Sequence, residues 1–159
     1  MSIDDERART DLNELVRDVG PRLRQALIAS YGPVDGREAA VDALSWAWEN
    51  WDRLSTIENK AAYLYRVGQS AMRRIGTRPV PVDVTRQIVA LQPEVTPELI
   101  PSLARLPARQ RTIVVLVHAY GWSQADVGNL LEVTPSTVAE HLRRAVERLR
   151  AELEVDDDR

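Results

Sequence analysis

Residues 122–150 read "WSQADVGNLLEVTPSTVAEHLRRAVERLR", and their punctuation decides the architecture of the chain. Ser123 carries a side-chain oxygen suited to cap a helix over 124–131, with Val127, Leu130 and Leu131 as its apolar side. The pair Glu132–Val133 makes a turn, and Thr134 caps a second helix whose first position is Pro135. In that second helix Val138, Leu142, Ala145, Leu149 and Leu153 recur at helical spacing and must face a core. Two capped amphipathic helices across a two-residue turn predict a helix-turn-helix.

The outer surface of the second helix carries two stripes. Thr137, His141, Arg144 and Arg148 form one; Ser136, Glu140, Arg143, Glu147 and Arg150 form the other. A helix in a major groove meets base edges with its N-terminal residues and phosphates with its flanks and later turns. On that logic Ser136, Thr137, Glu140 and His141 face bases, and Arg143, Arg144 and Arg148 face phosphates. A glutamate can accept from a cytosine amino group, so Glu140 is compatible with base reading. The plainer alternative is a structural helix hairpin with an i, i+4 pair between Glu140 and Arg144.

Charge supports a local basic face on an acidic chain. The 159 residues carry a net charge of −3, but residues 105–150 hold seven arginines against four acids, and the tail 151–159 holds five acids against Arg159. A hydrophobic content of 44% with 28% charged residues predicts a globular chain. Cysteine is absent, which excludes disulfides, thiol catalysis and cysteine metal sites. The first residues, MSIDDERART, lack the apolar core of a signal segment, and a cytoplasmic location is expected.

Outward from the motif the pattern stays helical, so the predicted fold class is all-α. Residues 107–119, "PARQRTIVVLVHA", predict a buried helix beginning with Pro107, after a short one over 98–105. Residues 79–97 are proline-rich and predict a linker with a short helix around 84–91. Before it, residues 8–30, 37–53 and 58–76 predict three helices, with "YGPVDG" (31–36) as a turn. The expected organisation is a helical domain over 8–78, the linker, a helix-turn-helix domain over 98–153 and an acidic, frayed tail over 154–159.

With these residues in view, the chain resembles an extracytoplasmic-function sigma factor, the small two-domain class of the bacterial sigma-70 family. Residues 103–153, from "LARLPARQR" through "WSQADVGNLL" to "TVAEHLRRAVERLR", are similar to sigma region four. "GREAAVDALSWAWENWDRL" (36–54) and "AYLYRVGQSAMRR" (62–74) resemble sigma region two more loosely. The departures are specific. Val41 stands at the family's glutamine, Gln69-Ser70 at its arginine-asparagine pair, and Glu132 at its turn glycine. Ala139, Glu140 and His141 occupy the turn where a lysine or arginine is common.

The resemblance implies a transcription initiation factor with core RNA polymerase, promoter DNA and an anti-sigma or other regulatory protein as partners. It implies minus-thirty-five contacts from Ser123, Gln124, Thr134, Ser136, Thr137, Glu140, His141, Arg143, Arg144 and Arg148. Minus-ten contacts would come from Tyr63, Tyr65, Arg66, Gln69, Arg73, Arg74 and Arg78, and polymerase contacts from Glu38, Asp42, Trp46 and Trp48. Two alternatives remain: a helix-turn-helix regulator that does not engage polymerase, since "STVAEHLRRA" also resembles bacterio-opsin-activator-type regulators, and a sigma-like protein-binding module.

Other constellations carry less. No phosphate-binding glycine loop or nucleophile elbow is present, so no catalytic residue or cofactor is expected, and no apolar run approaches the length of a membrane span, so no membrane insertion is expected. The histidines, His118 and His141, predict no metal site, and His118 reads as a core or rim residue of its helix. Trp48 and Trp51 share a helix face and read as core, while Trp46 points elsewhere, toward a partner. Tyr63 and Tyr65, near Arg66, Arg73 and Arg74, suit stacking on unpaired bases, with helix packing the alternative for Tyr65.

Overall fold

In a computed structural model of the chain, the described residues are 2–76 and 99–157, and they are helical with no strand among them. The linker over 79–97, its expected short helix and Arg78 therefore lie outside the described residues.

The first helix, α1 (Ile3–Tyr31), begins earlier than the apolar pattern predicts because Ser2 and Asp5 form a capping box. The Asp5 N–H donates to Ser2 Oγ and the Ser2 N–H to Asp5 Oδ2, each at 3.3 Å. The expected turn at 31–36 contracts to Gly32, whose φ of 88° breaks the helix so that Pro33 can open α2 (Pro33–Glu49). The two helices pack through small residues, with Ala39, Ala40, Ala43 and Ala47 of α2 fully or nearly buried. At Gly36 they approach so closely that a Cβ would lie 2.5 Å from the Ile28 Cα. A short α3 (Trp51–Leu54) leads to α4 (Lys60–Arg74), where Asn59 caps by accepting from the Ala62 N–H at 3.1 Å. Leu64, Tyr65 and Met72 of α4 close this core with Leu23 and Leu27 of α1.

The second half comprises α5 (Leu99–Arg105), α6 (Ala108–Val114), α7 (Gln124–Leu131) and α8 (Pro135–Asp157). The "IVVLV" run is helical as expected, but its end widens into a π turn over Val115–Ala119, with the Tyr120 N–H donating to Val115 O at 3.1 Å. His118 on that turn is exposed and therefore belongs to the rim. Gly121, at φ 72°, then reverses the chain and drops Trp122 into the interior. Ile113, Leu116, Val127, Val138, Leu142 and Ala145 are all buried there, the last three from the predicted stripe of α8. The α8 backbone stays helical to Asp157, so the expected frayed tail is helix for most of its length.

The two halves share one core and a set of polar contacts. Ser30 Oγ donates to Ala26 O at 2.9 Å, and lies 2.6 Å from Tyr65 Oη and 3.4 Å from Thr112 Oγ1 of α6. Trp122 Nε1 donates to Gln25 Oε1 at 2.8 Å, and Asn59 Nδ2 to Asn129 O at 2.7 Å. Ion pairs join Arg22 to Asp126 and Arg66 to Glu132, each at 3.2 Å.

Two tryptophans reverse the sequence expectation, while Trp51, at the start of α3, is half-buried against the core as expected. Trp48 is 57% exposed, whereas Trp46 is half-buried with its ring 5.3 Å from that of Tyr63. The α1–α2 interface is made by alanines spaced three and four apart, and this turns Trp48 outward with Val41.

Candidate nucleic-acid interface

The helix-turn-helix is built from α7, its turn and α8. Ser123 caps α7, its Oγ accepting from the Asp126 N–H at 3.0 Å. The turn is tight because Gly128 has no side chain: a Cβ there would lie 2.7 Å from Val133 O, and the Val133 N–H donates to Gly128 O at 3.0 Å. Glu132 closes α7 in the left-handed region, φ 57° and ψ 42°. A non-glycine residue there costs roughly 1–2 kcal/mol. Thr134 caps α8, its Oγ1 accepting from the Thr137 N–H at 3.2 Å and lying 3.0 Å from Ser136 Oγ.

This frame sets the presented surface. Gln124, Ser136, Thr137, Arg143, Arg144 and Arg148 are exposed, and Glu140 and His141 are half-exposed. Thr134 is exposed too, but its hydroxyl is engaged in the cap. The expected Glu140–Arg144 pair is present, with Arg144 Nε donating to Glu140 Oε1 at 3.0 Å. A stronger contact joins it: Arg143 Nε and Nη2 donate to the two oxygens of Glu140 at 3.0 and 2.6 Å. Arg143 Nη1 donates to Glu147 at 2.6 Å. The hydrogen bonds from Arg143, then its charge and the Arg144 contact, hold the Glu140 carboxyl down at about 2. Glu140 first, and then Glu147, push the Arg143 guanidinium up.

The α4 residues divide. Tyr63 is half-buried against Trp46, with the Arg53 and Arg66 guanidinium groups 6.0 and 5.6 Å from its ring centre. Tyr65 is 4% exposed, and burial pushes its hydroxyl up to about 12, the Ser30 hydrogen bond acting the other way. In this arrangement Tyr65 packs helices and cannot stack on a base. Arg66 is exposed but paired with Glu132, and Gln69 is half-buried beside it. Arg73 and Arg74 are exposed at the end of α4, with Arg73 Nη2 donating to Ser70 Oγ at 3.2 Å. Glu38, Asp42 and Trp48 lie exposed on α2 with Val41, while Trp46 faces Tyr63.

Sequence reasoning missed the residues that join the halves: Arg22, Gln25, Ser30, Asn59, Trp122 and Asp126. The available signal is that polar Gln25 and Ser30 stand directly at the two ends of the apolar run 26–29 of α1.

Residues 98–149 match the family model for sigma-70, region 4. Comparison with curated protein sequences returns no match. Among solved structures, the chain is similar to the sigma factor RpoE from Bartonella quintana, determined in complex with the anti-sigma factor NepR. The two are 23% identical with a TM-score of 0.55, over 92% of this chain and 98% of that one.

Proposed function

We propose that this protein is a sigma-70-type transcription initiation factor that directs core RNA polymerase to promoters, a reading supported by the match of residues 98–149 to sigma-70, region 4 and by the fold. The observation that carries this reading is the capped, exposed N-terminal face of α8 on a helix-turn-helix within a matched region 4 domain. In this reading α8 holds the minus-thirty-five element, with Ser136, Thr137 and His141 at base edges and Arg144 and Arg148 at phosphates. The exposed face of α2, with Glu38, Asp42 and Trp48, docks on polymerase. Arg73 and Arg74 meet the minus-ten element. The protein itself makes and breaks no bonds. Its binding energy positions polymerase and holds unpaired bases, which lowers the barrier to opening the duplex.

Two further parts follow by analogy. A regulatory protein of the anti-sigma kind is a fitting partner, since the similar Bartonella protein was solved with one. The cytoplasm is the compartment where such a factor acts, and among the described residues no helix is long and apolar enough to cross a membrane.

The test is to mix the protein with core polymerase and map transcript starts on genomic fragments. Association with core and discrete starts are expected. Absence of both removes the reading. A second reading, a DNA-binding regulator that does not engage polymerase, draws on the burial of Tyr65 and the pairing of Arg66. Duplex binding with a steep salt dependence and no transcript would identify it.

A further inference from the structure

The outer face of α8 holds its own counter-ions. Arg143 presents its Nε–Nη2 edge to both oxygens of Glu140 at 3.0 and 2.6 Å, and its Nη1 to Glu147 at 2.6 Å. Arg144 Nε adds a third donor to the Glu140 carboxylate at 3.0 Å. Two arginines and two glutamates thus form one cluster with no net charge, in the turns where a groove-binding helix meets phosphates. A phosphate would need the same planar guanidinium edge that Glu140 now occupies.

We propose that Glu140 is a specificity-determining residue, which suppresses binding to duplex of arbitrary sequence by engaging Arg143 and Arg144. The inference rests on the reading of α8 as the duplex-contacting helix. Phosphate contacts supply nearly all the affinity for arbitrary DNA, so occupying two guanidinium edges and cancelling one positive charge removes binding that carries no sequence information. The pairs are exposed, and exposed pairs are weak enough to exchange. On a duplex that also satisfies Ser136, Thr137 and His141, those base contacts offset the exchange. On any other duplex nothing does. The low pKa of Glu140, set first by the Arg143 hydrogen bonds, keeps the carboxylate charged throughout the pH range of DNA binding. Without Glu140 the same helix would hold the backbone of any duplex.

The experiment measures binding of the full chain to a mixed-sequence duplex by fluorescence anisotropy from low to moderate salt. Four proteins are compared: the natural chain, Glu140→Gln, Glu140→Gln with Arg143→Ala and Arg144→Ala, and Glu154→Gln. The last removes an equal charge from another exposed position of α8. Glu140→Gln should bind about tenfold tighter than the natural chain, with a salt slope steeper by roughly one unit. Glu154→Gln should gain about twofold at most, and the triple variant should lose the tightening. Equal gains from Glu140→Gln and Glu154→Gln, or none from Glu140→Gln, overturn the proposal while natural-chain binding leaves α8 as a DNA helix. If no variant binds duplex at low salt, both the proposal and the reading beneath it fall.

Discussion

Arg66 of α4 and Glu132 of the helix-turn-helix are joined across the two halves of the molecule, Nη1 to Oε2 at 3.2 Å. Both are unusual in their own settings. Glu132 holds a left-handed backbone at φ 57°, where glycine is the natural occupant, and Arg66 is a candidate for promoter contact. The pair ties the candidate minus-ten helix to the turn of the other half.

Substituting Glu132 separates conformational strain from pairing. Glu132→Ala keeps the strained backbone and removes the ion pair. Glu132→Gly removes both. An exposed pair contributes about 0–1 kcal/mol and the left-handed strain about 1–2 kcal/mol. Glu132→Gly should therefore be more stable than Glu132→Ala by about 1 kcal/mol, read by urea unfolding. Equal midpoints and slopes for the two variants would show that the turn is unstrained.

The polar contacts between the halves predict an acid response. Hydrogen bonds from Arg22 and then Ser123 hold the Asp126 carboxyl below its ordinary value of 3.8. Its folded-state pKa is depressed, so its contribution is present above the ordinary carboxylate range and lost as pH falls through the folded pKa. Hydrogen exchange at Trp122 Nε1, which donates to Gln25, should report unchanged closure from neutral pH to the ordinary carboxylate range and faster opening below it. Asp126→Asn should show the faster exchange already at neutral pH. No difference between that variant and the natural chain would count against the Arg22 contact as a tie between halves.

The fold was largely legible because it rests on local signals. Ser123, Thr134 and Pro135 mark helix starts, and the stripe from Val138 to Ala145 is buried as its spacing requires. Trp46 and Trp48 were not legible, because spacing fixes which side of a helix a residue takes but not whether that side meets protein or water. Alanines at 39, 40, 43 and 47 carry the packing of α2, and their small size hides that role in a hydrophobicity pattern. The candidate site was half legible. Caps and stripes gave the exposed residues of α8, but the buried Tyr65 hydroxyl meets Ser30, distant in sequence, which in turn lies 3.4 Å from Thr112 in the other half.

Two glycines in the second half should respond differently to the same change. At Gly128 an added Cβ would meet Val133 O at 2.7 Å, a backbone atom fixed by the turn. At Gly121 the space is open and only the φ of 72° opposes a side chain. Gly121→Ala should cost about 1–2 kcal/mol from backbone conformation alone. Gly128→Ala should cost about 1–3 kcal/mol through steric displacement, and should also disturb the α7–α8 angle and so duplex binding. Unfolding midpoints and a duplex-binding assay give both readings. Unaltered DNA binding by Gly128→Ala would mean that the turn can relax without moving α8.

Trp46 and Trp48 offer the sharpest separation of stability from partner binding. Trp46 stacks near Tyr63 at 5.3 Å with the Arg53 guanidinium 6.0 Å from its ring centre, so Trp46→Ala removes an aromatic pair and its burial. A loss of about 2–4 kcal/mol is expected, less than for a fully buried ring. Trp48 is 57% exposed beside Val41 at 63%, so little burial is lost on truncation and Trp48→Ala should change stability by less than about 1 kcal/mol. An exposed tryptophan with an apolar neighbour is the kind of side chain that anchors an interface, where truncation costs about 2 kcal/mol or more. Trp48→Ala should therefore weaken association with core polymerase by about thirtyfold while leaving the thermal midpoint nearly unchanged. Retained affinity in that variant would move the polymerase contact off the exposed face of α2.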